Sequence, residues 1–155
     1  MPVTENTDNT PAVTPNTGDA GKAARTRQLA NLVVGDILVF LVFSVIGRIS
    51  HGEPVGLSAL PQVVGTAAPF AAGWFIVAPF VGAYRRDITT QPREMAKRTA
   101  FAWLLACPVG LTLRGIFVDR GAPPFSFAII TLLFVLCIML LWRWPYALTN
   151  SLKKD

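Results

Sequence analysis

Few residues in this chain combine a reactive side chain with an apolar setting, and those few frame the functional question. Asp36 and Arg114 are charges embedded in apolar runs; Arg48, His51 and Glu53 follow the end of the first run; Cys107 and Cys137 lie within the third and fourth. A carboxylate or guanidinium at the centre of a membrane helix costs about 2.5–3.5 kcal/mol on insertion scales. Arg114 can reach outward along its long stem, which makes it a positional anchor. Asp36 has a short stem. It must be protonated, paired or turned toward a wet cavity, and each of these makes it a structural or functional focus. His51 with Glu53 is a weak signal for a metal or a proton relay, since a single histidine supplies too few ligands. Two thiols near a carboxylate could hold a soft metal or do redox chemistry, but cysteine is also a small, lipid-compatible residue. No Gly-rich phosphate loop, His-x-x-x-His helix or G-x-S-x-G elbow occurs. No catalytic residue, metal site or cofactor is therefore assigned.

The elements that position these residues follow from composition and from the distribution of apolar residues. Of 155 residues, 52% are hydrophobic and 15% charged, too apolar for a soluble domain of this size, which usually carries about 25% charge. Disordered chains and coiled coils are excluded on the same ground. Four apolar runs, about 29–47, 63–84, 99–118 and 125–144, each hold 19 residues or more, and about 20 residues at 1.5 Å each cross a hydrocarbon core of about 30 Å. Backbone groups in lipid must pair within their own segment, so each run is expected to be a helix. The fold expected is all-α: an integral membrane four-helix bundle in one domain, 28–146. The Thr-, Asn- and Pro-rich stretch 1–27 is expected to be a disordered tail without signal-peptide character, and 147–155 a short basic tail.

Eleven of the fourteen Lys and Arg fall before the first run, between the second and third, or at and after the end of the fourth. The positive-inside rule then places both termini in the cytoplasm, in a bacterial plasma membrane. A net charge of +5 could otherwise suggest nucleic acid, but this pattern is one of topology. The partners implied are the lipid bilayer and either a second copy or another membrane protein. Tyr84, Trp103, Trp142, Trp144 and Tyr146 fall near the basic interface, where an aromatic belt is expected.

Spacing suggests further contacts. Asp36 lies roughly 10 Å below the basic interface, and roughly 14 Å along the membrane normal separates it from Arg114. Those two should not pair. Asp36 is expected to meet Arg25 or Arg27, or polar groups freed near Pro79 and Pro108. Arg114 is expected among Arg48, His51, Glu53, Asp119 and Arg120. Asp36, Phe40, Phe43, Gly47 and His51 share a helix face directed toward the bundle interior. Small residues four apart, Gly65-Pro69-Gly73 in the second run and Ala102-Ala106-Gly110 in the third, form stripes suited to close helix approach, within the bundle or between copies. Pro69, Pro79 and Pro108 each free a carbonyl four residues earlier, giving a kink, a hinge or a polar lining.

Together, Gly35-Asp36, Gly47-Arg48, His51-Gly52, Pro69-Phe70, Trp74, Pro108, Arg114 and Trp142-Arg143 resemble the small four-span bacterial membrane proteins grouped as domain of unknown function 3054 (DUF3054). The resemblance covers about 28–146. It implies the four-helix architecture and no established activity, and it directs attention to Asp36, Arg48, His51, Trp74, Arg114 and Arg143. The function expected is that of a non-catalytic accessory or assembly subunit of a membrane complex. The alternative is a small oligomeric transporter or channel with Asp36 as its protonatable coupling residue, since four packed helices leave no through-path in a monomer.

Overall fold

A computed structural model of the chain describes residues 17–152, with side chains described from residue 21. Four long helices account for most of these residues: α1 (Thr17–Ser50), α2 (Leu60–Val81), α3 (Pro92–Arg114) and α4 (Phe125–Leu152). No strand occurs among the described residues. Each helix packs on its neighbours in order, and α4 closes the ring against α1, with the α2–α3 contact the most extensive. All four helices are long and apolar enough to cross a membrane.

The helices differ from the apolar runs at their ends, and local chemistry explains where. Pro92 opens α3, its fixed φ and missing N–H being harmless in a first turn. The helix therefore starts well before the apolar run at 99. Helix α2 stops at Val81 because Gly82 adopts φ 75°. The N–H groups of Gly82 and Ala83 bond back to Pro79 and Ala78 at 3.0 and 2.9 Å, a Schellman-type close that a β-carbon would strain. Of the tail expected over 1–27, residues 17–27 form the first turns of α1 and 1–16 lie outside the described residues. Of the C-terminal tail, 147–152 continue α4 and 153–155 lie outside.

The core runs along the bundle axis. Phe40, Phe43, Phe70, Trp74, Trp103 and Met139 are all at most 5% exposed and pack together. Trp103 donates its indole N–H to the Leu132 carbonyl at 2.9 Å, so this tryptophan belongs to the interior and not to an aromatic belt. A β-carbon on Gly73 would lie 2.8 Å from the Ala106 carbonyl and the Gly110 nitrogen. The small-residue stripes of α2 and α3 thus meet each other inside the bundle, at Gly73 and Gly110. Large apolar side chains remain exposed around the outside, Phe80 at 89% and Leu141 at 73% among them.

A second, smaller core closes the basic end, where Leu32, Ile88, Met95 and Ala147 pack with Tyr84 and Tyr146 at its edge. The short helical turn Arg86–Thr90 supplies Ile88 and tucks Thr89 inward.

Candidate functional site

Between the two cores lies a sealed polar cluster. Asp36 sits one turn along α1 from Leu32, and Arg143 one turn along α4 from Ala147, so both side chains point into the layer that separates the cores. Each is 0% exposed. Arg143 forks onto the carboxylate, with Nε 2.9 Å from Oδ1 and Nη2 2.5 Å from Oδ2. Its Nη1 donates to the Ala83 carbonyl at 2.9 Å. That carbonyl is presented by the Gly82 turn at the C-terminus of α2, where the helix dipole favours a cation. A second guanidinium works at the same helix end, since Arg98 donates to the Val81 carbonyl at 3.1 Å.

Two aromatic residues complete the cluster. The Trp74 indole N–H lies 3.0 Å from Asp36 Oδ2 and 2.9 Å from the Tyr84 hydroxyl oxygen, and Tyr84 donates its own hydroxyl proton to Oδ2 at 2.5 Å. The Arg143 guanidinium carbon lies 4.9 Å from the ring centroids of both Trp74 and Tyr84, within range for cation–π attraction, which is strengthened by desolvation. Every component of this carboxylate's coordination comes from a different part of the fold: α1, α2, the loop after it and α4. Removing two charges from water costs several kcal/mol each, offset only when geometry is good and the remaining lone pairs are satisfied. Both conditions hold here.

The neighbouring residues explain the dipeptides singled out in the sequence. A β-carbon on Gly35 would fall within the Trp142 indole. Gly35 thus admits the Trp142 ring, and the adjacent Asp36 meets the adjacent Arg143, so that Gly35-Asp36 and Trp142-Arg143 are two halves of one contact between α1 and α4.

Several expectations are corrected. Arg25 and Arg27 do not pair with Asp36: both are exposed, and they lie on the same continuous helix more than two turns away. Pro79 and Pro108 are exposed, and the hydrogen bonds to the carboxylate come from the Trp74, Tyr84 and Arg143 side chains instead of from carbonyl-flanking groups at those prolines. Tyr84, expected only as a belt residue, also hydrogen-bonds Asp36. Its part in the cluster is not readable from spacing: the glycine at the end of the apolar run signals where the helix stops, not where Tyr84 turns. Along α1, Asp36, Phe40 and Phe43 do face the interior, but His51 is exposed. Cys107 is buried and Cys137 exposed, so the two thiols point to different surroundings.

The opposite end carries two separate ion pairs. Arg114 forks onto Asp119 at 2.9 and 3.0 Å across a wide turn, Gly115–Asp119, and lies 5.1 Å from the Phe127 ring centroid. Arg48 meets Glu53 at 2.7 Å and also donates to the Pro54 carbonyl. Among the described residues no three of His, Cys, Asp and Glu converge as metal ligands would.

The fold and the cluster together define a class: a helical-bundle protein with four candidate membrane spans and a sealed ion pair near one end. The family model described as "Protein of unknown function (DUF3054)" matches residues 33–146, and the chain belongs to that family. The matched segment includes all six residues to which the sequence directs attention. Neither the curated proteins nor the solved structures yield a match.

Proposed function

We propose that this protein is a multi-pass membrane protein that acts as a non-catalytic accessory or assembly subunit, with the Asp36–Arg143 cluster as the clasp that fixes its fold. The observation that carries the reading is the saturation of Asp36: Arg143, Tyr84 and Trp74 all donate to it, and it has no exposed surface. A coupling carboxylate in a transporter must exchange protons with water during its cycle, and this arrangement is the reverse. The other ion pairs among the described residues, Arg48–Glu53, Arg85–Asp87, Lys97–Glu94 and Arg114–Asp119, are by contrast local, joining residues of the same or adjoining segments. What is left for function is the outer surface: apolar helix faces along the bundle and a basic end. The basic residues favour a topology with both termini in the cytoplasm of a bacterial cell.

Purification in mild detergent, with mass determination of what accompanies the chain, tests this. Stoichiometric membrane subunits of other sequence are expected. A homodimer alone, together with pH-driven flux of the parent chain in proteoliposomes, would overturn the accessory reading in favour of transport.

A further inference from the structure

The basic end holds a feature that the clasp does not use. Between the first turns of α1 and the end of α2 lies a depression of about 310 Å³, lined by Arg25, Arg85, Arg86, Asp87, Tyr84 and the Pro79–Gly82 corner. Arg85 is partly neutralised by Asp87, whose carboxylate accepts a hydrogen bond at 3.1 Å; that bond holds the Asp87 carboxyl below its ordinary range. Arg25 and Arg86 form no ion pair among the described residues. Three arginines and one carboxylate therefore line this basin, which leaves it net positive, and planar guanidinium is well suited to phosphate oxygens. The α2 side is apolar: Pro79 lines the basin, and its α2 neighbours Ile76 and Phe80 are 52% and 89% exposed.

A basin that is cationic at the loop and apolar along the helix matches a molecule with the same division. We infer that this groove between α1 and α2 is a binding site for an anionic phospholipid, its phosphate against Arg25 and Arg86 and its acyl chains along Ile76 and Phe80. The inference rests on reading the helices as membrane spans and not on the accessory role. Free phosphate shares the headgroup chemistry but would leave the apolar rim bare. The site also has a consequence for the clasp. Tyr84 lines the basin on one side and hydrogen-bonds Asp36 on the other, so an occupied groove braces the corner that holds the carboxylate.

The test is thermal unfolding of the full-length, delipidated protein in detergent, followed by titration with phosphatidylglycerol, phosphatidylcholine or inorganic phosphate. Phosphatidylglycerol is expected to raise the midpoint saturably, with little response to the other two. The double variant Arg25→Gln/Arg86→Gln should weaken the half-saturating concentration by about tenfold, given that each basic residue near a membrane surface contributes modestly to anionic lipid binding. Arg93→Gln, at the same end but outside the basin, should leave it unchanged, and Asp87→Asn should tighten it by freeing Arg85. Equal stabilisation by phosphatidylcholine or by inorganic phosphate would overturn the inference. So would an Arg93→Gln effect as large as that of the double variant, which would mean diffuse surface charge, or an Asp87→Asn variant that binds no better than its parent. None of these outcomes bears on which subunits accompany the protein.

Discussion

The guanidinium of Arg143 grips both oxygens of the Asp36 carboxylate across 107 residues of sequence. It ties the first helix of the bundle to the last, and the Ala83 carbonyl brings the end of α2 into the same contact. A buried pair of this kind is informative about specificity more than about net stability. Its two members could be replaced together by apolar residues at little cost, whereas neither can be removed alone without leaving a buried charge unmatched.

That asymmetry is the first prediction. Asp36→Leu or Arg143→Met alone should destabilise the bundle by roughly 3–5 kcal/mol. The double substitution Asp36→Leu/Arg143→Met should recover most of the loss. Reversible unfolding in detergent, analysed as a double-mutant cycle, measures the coupling. Additive losses would show that the two side chains act independently.

The aromatic partners give the second. Tyr84→Phe keeps the ring against Arg143 but removes the hydroxyl donated to Asp36. A hydrogen bond to a charged group contributes about 1.5–3 kcal/mol, and a loss in that range is expected. Because the Trp74 N–H is shared between Asp36 and Tyr84, it can turn fully to the carboxylate, which favours the lower end of the range. Trp74 fluorescence should shift little, since the indole remains fully buried.

How much of this was legible beforehand depends on the range of each signal. The four helices were legible because hydropathy is local, and Asp36 stood out because a short-stemmed charge in an apolar run has few solutions. Its partner did not follow. Arg143 stood out through the family resemblance but not as the partner of Asp36, because depth counted along separate helices says nothing about which helices are neighbours. The closure of α4 on α1 supplies that information. Tyr84 was hidden for another reason: its direction depends on the positive φ of Gly82, which reverses the chain immediately after α2. The contacts within one short segment were easier, and Asp119 was correctly placed among the groups around Arg114.

The small-residue stripes yield the third prediction. Gly73 lies against the backbone of α3, which cannot yield as a flexible side chain does. Gly73→Ala should therefore separate the helices and cost about 1–3 kcal/mol, the usual range for overpacking a filled interior. Gly65 belongs to the same four-residue series but would place its β-carbon in open space. Gly65→Ala should be neutral or stabilising by about 0.5–1 kcal/mol through the higher helix propensity of alanine. If both variants melt alike, the α2–α3 approach at Gly73 is not close.

The opposite end of the bundle gives the last. The Arg114 and Asp119 side chains are 17% and 31% exposed, so their forked pair is partly shielded and adds cation–π contact with Phe127. Exposed ion pairs contribute about 0–1 kcal/mol, and bidentate geometry is stronger than a single contact, so Arg114→Gln should cost roughly 1 kcal/mol or slightly more. His51, exposed on the loop beyond α1, should be silent: His51→Ala is expected to melt like the parent, with or without added divalent metal. The two outcomes are linked by one physical claim, that stability at this end comes from Arg114 locking the wide turn before Arg120 and not from the histidine. An Arg114→Gln variant as stable as the parent would place the holding force in the Gly115–Gly121 backbone contact instead, where a hydrogen bond of 3.0 Å already closes the turn.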